Sequence, residues 1–167
     1  WKSMDKARET ALKALTEIDT KEAYSNLVLK KVLRDASLDG RDKAFVTELV
    51  YGTVTWKLTL DWVISRFSKT RLNKLSVWVL QILRLGTYQL LFLDRVPPSA
   101  ACNTAVDLAK RYAKASQGFI NAILRNISRQ KEGIDIRNPR TGSLTGDLSL
   151  QFSFPEYLVK DWLFAFG

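Results

Sequence analysis

The chain contains no histidine, one cysteine (Cys102), four prolines and no long apolar run. Without histidine it lacks the commonest metal ligand and the commonest general base, so these 167 residues alone cannot build a Ser-His-Asp triad, a Cys-His pair or a zinc site of the usual kind. A single cysteine cannot form an internal disulfide framework. The best candidate for a membrane span, residues 75–93, is interrupted by Arg84 and falls short of the roughly 20 apolar residues that a crossing needs. No secretory signal is visible. These absences predict a soluble, cytoplasmic protein with no metal, no membrane partner and no catalytic centre of its own. The opening residue, Trp1 rather than methionine, leaves the natural ends open.

The composition is 46% hydrophobic, enough for one core and a small appendage. Twenty-six basic side chains against 17 acidic ones give a net charge of +9, which fits a polyanionic partner. The charge is unevenly placed. Residues 62–131 hold 12 basic and 2 acidic side chains, whereas residues 35–61 and 132–167 each hold 3 basic and 5 acidic.

Hydrophobic spacing is helical along most of the chain. Ala7, Ala11, Ala14 or Leu15, and Ile18 recur every three to four residues and predict a first helix ending near Asp19. A second, from about Tyr24 to Leu33, has Leu27, Leu29, Val32 and Leu33 as its apolar residues. Phe45, Leu49, Gly52, Trp56, Leu60, Val63 and Phe67 then share one face, predicting a long helix or two nearly continuous ones, with an easy bend at Gly52. Residues 75–93 are apolar almost all round, as expected of a central helix packed on several sides. Val96-Pro97-Pro98 stops it, and Ser99 is placed to cap the next helix, whose stripe is Cys102, Val106, Ala109 and Ala113. Ser116 is placed to cap a sixth, with Phe119, Ile120, Ile123, Leu124 and Ile127 inward. From Lys131 the pattern stops. Residues 131–149, with Gly133, Pro139, Gly142 and Gly146, read as a linker. Ser153-Phe154-Pro155-Glu156 has capping-box spacing before a short amphipathic helix through Leu158, Val159, Trp162, Leu163 and Phe166.

Phosphate contacts require cations, and unpaired bases require flat or hydrogen-bonding groups. One candidate patch is Lys2, Lys6 and Arg8 at the start of the first helix, where free backbone amides also favour phosphate. Another is Lys110, Arg111 and Lys114 with Ser116, Gln117 and Gly118 before the sixth helix. Arg125 and Arg129, four residues apart on one face with no acid nearby in sequence, extend it. Lys69, Arg71 and Lys74 form a third cluster, but a loop between two helices commonly carries lysines for solubility, and that is the favoured reading here. Ordinary solvated faces are the alternative for all of them. The tryptophans read as core rather than as stacking platforms, Trp78 least clearly.

Four strings resemble one family in order and spacing: Gln81-Ile82-Leu83-Arg84-Leu85-Gly86-Thr87-Tyr88-Gln89-Leu90, Val96-Pro97-Pro98, Asn103-Thr104-Ala105-Val106-Asp107-Leu108-Ala109-Lys110, and Gly118-Phe119-Ile120-Asn121-Ala122-Ile123-Leu124-Arg125. They resemble the NusB-like helical domain. It occurs as a free-standing transcription antitermination factor and as the N-terminal domain of RsmB (Sun/Fmu) ribosomal RNA cytosine-C5 methyltransferases. Leu124-Arg125 and the tail Phe152-Ser153-Phe154-Pro155-Glu156-Tyr157-Leu158-Val159 resemble the methyltransferase branch. Thr104 stands where glutamate is usual and Phe154 where histidine is common, so no polar role carries over to either.

The resemblance implies an all-α, NusB-like bundle of about six or seven helices over residues 1–130, a linker over 131–149, and over 150–167 the start of a following methyltransferase domain. It implies ribosomal RNA of the small subunit as partner, together with the chain's own C-terminal methyltransferase domain beyond Gly167. S-adenosylmethionine is expected as the cofactor of that parent enzyme and not of this chain. It also adds Phe119 and Asn121 to the contact surface, against the alternative of a core phenylalanine and a helix-packing asparagine. The chain has neither a Pro-Cys nucleophile motif nor a glycine-rich nucleotide loop after a strand, and Cys102 on its apolar stripe reads as a buried structural thiol. The alternative function is a free-standing antitermination or protein-adaptor factor.

Overall fold

The computed structural model describes residues 5–21 and 24–134, whose regular elements are all helices, with no strand among them. The order is α1 (Lys6–Lys21), α2 (Ser25–Asp35), α3 (Gly40–Thr55), α4 (Lys57–Phe67), a 3₁₀ turn (Leu72–Lys74), α5 (Val77–Phe92), α6 (Pro98–Tyr112), a second 3₁₀ turn (Lys114–Ser116), α7 (Gln117–Gln130) and a last turn (Lys131–Gly133). The expected linker beyond residue 134, the helix after it with Trp162, and Lys2 lie outside the described residues.

α5 is the axis of the bundle and packs against α1, α3, α4, α6 and α7. Every residue from 81 to 90 is buried, which is why its sequence is apolar on all sides rather than striped. Ser76 caps it, its hydroxyl accepting from the Val79 amide at 3.3 Å. Each large aliphatic side chain buried here stabilises the fold by about 1.5–3 kcal/mol. The one buried charged side chain among the described residues, Arg84, lies on α5 and forks onto Asp61 of α4, with Nε–Oδ1 2.7 Å and Nη2–Oδ2 2.8 Å. Asp19 at the end of α1 lies 3.4 Å from Nη1 of the same arginine. The cation that breaks the longest apolar run therefore ties three helices together.

Two glycines set helix distances. A Cβ on Gly86 would fall 2.8 Å from Leu124 Cδ1 of α7, and one on Gly52 would overlap the ring of Tyr88 on α5. Gly52 therefore marks a close crossing of α3 and α5 rather than a bend, and the break falls four residues later. Trp56 ends α3 and starts α4, with its ring on Phe92 at 4.4 Å, so a tertiary aromatic contact holds the break where propensity pointed to Gly52.

Three further expectations are corrected. Leu27 points outward, 60% exposed, while Val28 and Leu29 are buried, because α2 touches the bundle along a narrow stripe. α6 starts at Pro98, so Ser99 is a helical residue and makes no cap. Proline is suited to that first turn because its missing N–H would have had no partner there. Ser116 does precede α7, but its side chain makes no capping bond.

α5, α6 and α7 run up, down and up. Trp78 at the start of α5 stacks on Tyr112 at the end of α6, with centroids 4.5 Å apart and planes 12° apart, and Asn103 near the start of α6 meets Arg125 near the end of α7. The start of α5, the end of α6 and the start of α7 therefore share one end of the bundle. No helix of the described residues is long and apolar enough to cross a membrane.

Candidate nucleic-acid interface

A shallow cavity of about 410 Å³ runs between α6 and α7, lined by Asn103, Val106, Asp107, Lys110, Gln117, Gly118, Asn121 and Arg125. Five of the residues singled out from sequence, Lys110, Gln117, Gly118, Asn121 and Arg125, meet here. The antiparallel packing of the two helices makes this possible, since residues three, four and seven apart on each helix face the same seam. Gly118 faces open space, since a Cβ there would meet nothing within 4 Å.

Arg125 organises the floor. Its Nε donates to Asn121 Oδ1 at 3.1 Å and its Nη2 donates to Asn103 Oδ1 at 2.7 Å. Both carboxamide oxygens are thereby occupied, which leaves both NH₂ groups as donors for an acceptor from outside. Asn103 was not among the residues singled out from sequence. The signal available was its position seven residues before Lys110, two turns along the same face of α6. Beside the seam, Lys114 is exposed in the turn between α6 and α7, and Arg129, exposed one turn beyond Arg125, donates to Asn126 Oδ1 at 3.3 Å. Phe119 is partly buried and packs against the core. Beneath the seam lies Cys102, a fully buried thiol whose pKa is pushed up by burial, with Arg125 pulling the other way.

The remaining cations are placed differently. Arg111, exposed on α6, makes a 3.0 Å ion pair with Glu9 of α1, and the Tyr112 hydroxyl donates to the same carboxylate oxygen at 2.8 Å. Burial, and then the hydrogen bond to Glu9, push the Tyr112 phenol up to about 12. Lys6 is exposed at the first residue of α1. Arg8 is not a free cation. Its side chain is 11% exposed, pairs with Asp5, donates from Nε to Gln89 Oε1 at 2.7 Å and lies 5.2 Å over the Phe45 ring. The start of α1 is also closed, because Asp5 Oδ1 accepts from the Arg8 amide at 2.9 Å. The expectation of free amides there is corrected: the helix caps itself with its own carboxylate.

Two other cavities hold their own ion pairs. One, of about 330 Å³, contains Asp19 with Lys57 and Arg84, and the other, of about 380 Å³, contains Glu48 paired with Arg95. Among the described residues no group of three or more metal-ligating side chains comes together.

Compared with known proteins, residues 5–129 match the NusB family. A probable ribosomal RNA small subunit methyltransferase B of Bacillus subtilis is 39% identical over 165 residues, which is 96% of this chain and 35% of that protein. The chain thus spans about a third of the length of that relative. A transcription antitermination protein NusB of Ruminiclostridium cellulolyticum is 32% identical over 74% of this chain and 86% of its own length. A solved structure described as antitermination factors NusB and NusE in complex with dsRNA superposes with a TM-score of 0.69, at 26% identity over 74% of this chain and 93% of that one. With seven α-helices among the described residues, a family match over residues 5–129 and a relative aligned over 86% of its own length, this chain belongs to the NusB family.

Proposed function

We propose that this chain is an RNA-docking module and that it serves a ribosomal RNA cytosine-C5 methyltransferase. The observation that carries the docking role is the seam between α6 and α7, where Lys110 and Arg125 flank two carboxamides whose NH₂ groups Arg125 leaves free to donate. Such a surface supplies charge for phosphates and neutral donors for base or sugar oxygens. The structural relative solved with dsRNA supports the same partner.

The methyltransferase assignment rests on the extent of similarity. The Bacillus subtilis relative aligns over 165 residues and so reaches past residue 129, where the match to the NusB family ends. An antitermination or adaptor role is the second reading, favoured by the relative that the chain covers to 86%. In the first reading S-adenosylmethionine would be held elsewhere in the parent enzyme. The described residues do not fit it, since they form no strand and no strand–loop–helix turn, and no step of methyl transfer is derived from them.

The test is RNA affinity of the Lys110→Glu, Lys114→Glu double variant, at several salt concentrations. Arg111 is left in place because a carboxylate there would face Glu9. Affinity for single-stranded ribosomal RNA is expected to fall at least tenfold and to lose part of its salt dependence, by about 0.7 per phosphate contact. Unchanged affinity and slope would remove the seam from RNA binding.

A further inference from the structure

We infer that the connector between α4 and α5 is a second RNA-phosphate site, which continues the path of the strand out of the α6–α7 seam and across the end of the bundle. This inference rests on the docking role proposed above and names a footprint for it.

Three observations carry it. First, two of the stretches that meet at this end of the bundle, residues 62–93 and 108–131, contain no Asp or Glu, and the acid that reaches this end from α1, Glu9, is held by Arg111 and the Tyr112 hydroxyl. Second, Lys69, Arg71 and Lys74 are exposed and none is in an ion pair among the described residues, in contrast with Arg8, Arg84, Arg95 and Arg111, each of which is held by an acid. Such free cations keep their full charge for an external anion. Third, the Trp78–Tyr112 stack, with centroids 4.5 Å apart, pins the start of α5 to the end of α6. Lys74 is four residues before Trp78 and Lys114 two after Tyr112, so at most about 14 Å and 7 Å of backbone separate these lysines from the stack. The two cationic segments therefore lie at the same end of the fold, within the reach of one extended strand.

Backbone geometry holds the connector in shape. The Lys74 amide donates to Arg71 O at 2.9 Å and the Leu75 amide to Leu72 O at 3.1 Å, while Leu72 and Leu75 pack against the core. The cations are thus presented from a fixed turn, with their apolar neighbours turned inward. The carboxylates nearest in sequence, Asp61 and Asp94, are turned elsewhere, Asp61 onto Arg84 and Asp94 at the opposite end of α5. A polyanionic strand leaving the seam at Lys114 meets Lys74, Arg71 and Lys69 next.

The test uses the 167-residue chain, a single-stranded RNA of about 16 nucleotides, near the upper end of known single-strand footprints, and affinities over a range of salt. The connector variant is Lys69→Gln, Arg71→Gln, Lys74→Gln, whose exposed positions leave melting unchanged. The seam variant is Lys110→Gln, Arg125→Gln. Three lost phosphate contacts should make the slope of log affinity against log salt shallower by about 2 in the connector variant. Photocrosslinks from 4-thiouridine-substituted RNA should reach peptides spanning residues 66–76. If only the seam variant weakens binding and no crosslink reaches 66–76, the inference is overturned while the docking role stands. If only the connector variant weakens binding, the seam is not on the path and the continuous footprint is overturned. If neither acts, or the wild-type chain does not bind, both fall together.

Discussion

Arg84 illustrates what a single residue does in this fold. Its side chain is 7% exposed and Asp61 is 24% exposed, so removing the guanidinium leaves a carboxylate largely cut off from water. Breaking such a pair costs about 3–5 kcal/mol, because the remaining charge is uncompensated. Arg84→Ala should therefore lower the unfolding free energy in urea by about that amount. A loss under about 1 kcal/mol, the range of an exposed pair, would contradict the assignment. Tyr112 supplies a pH signature. Its phenol is raised from 10 to about 12 in the fold, so its contribution is fully present below pH 10 and is lost as pH rises toward 12. The wild-type chain should lose stability across that window, and Tyr112→Phe should lose less. Parallel pH profiles for the two would show that the phenol is not shifted. With no histidine in the sequence, no comparable side-chain step is expected near pH 6–7.

Among the elements, helix contacts fixed by glycine are the sharpest prediction. Gly52→Ala drives a Cβ into Tyr88, which is 7% exposed and stacked against Phe92 with centroids 5.4 Å apart, so the ring has nowhere to move. Gly86→Ala brings a Cβ to 2.8 and 3.1 Å from the two Leu124 methyls, a milder overlap than the 2.0 Å to the Tyr88 ring. Overpacking of this kind costs about 1–3 kcal/mol and more where neighbours are rigid, so Gly52→Ala should lower the melting temperature more than Gly86→Ala. The reverse order would contradict the α3–α5 crossing. Most elements were legible in the sequence, because stripes at helical spacing are the residues that pack inward. The all-round apolar stretch at 75–93 pointed directly to the central α5. The boundary at Trp56 was not legible, since it depends on Phe92, 36 residues away in sequence. Ser99 was misread for a related reason. Both serine and proline suit helix starts, and only the packed turn decides between them.

At the scale of the whole molecule, the account rests on segregation of charge. The sequence located the basic centre of the chain, and the antiparallel α6 and α7 bring Lys110, Gln117, Gly118, Asn121 and Arg125 to one seam, where two cations stand against the single acid Asp107. What it could not reveal is which cations are already taken. Arg8 is satisfied by Gln89, 81 residues away, and Arg111 by Glu9, so local absence of acids says little about pairing across the fold. Asn103 escaped notice because its meaning depends on Arg125, 22 residues later.

The most direct measurement is a map of peptides crosslinked to 4-thiouridine-substituted single-stranded ribosomal RNA on the intact chain. Crosslinks are expected to concentrate in peptides containing Asn103, Lys110, Lys114, Asn121 and Arg125, and to fade as salt rises. Crosslinks confined to the α2 face, with none between residues 103 and 129, would contradict the account.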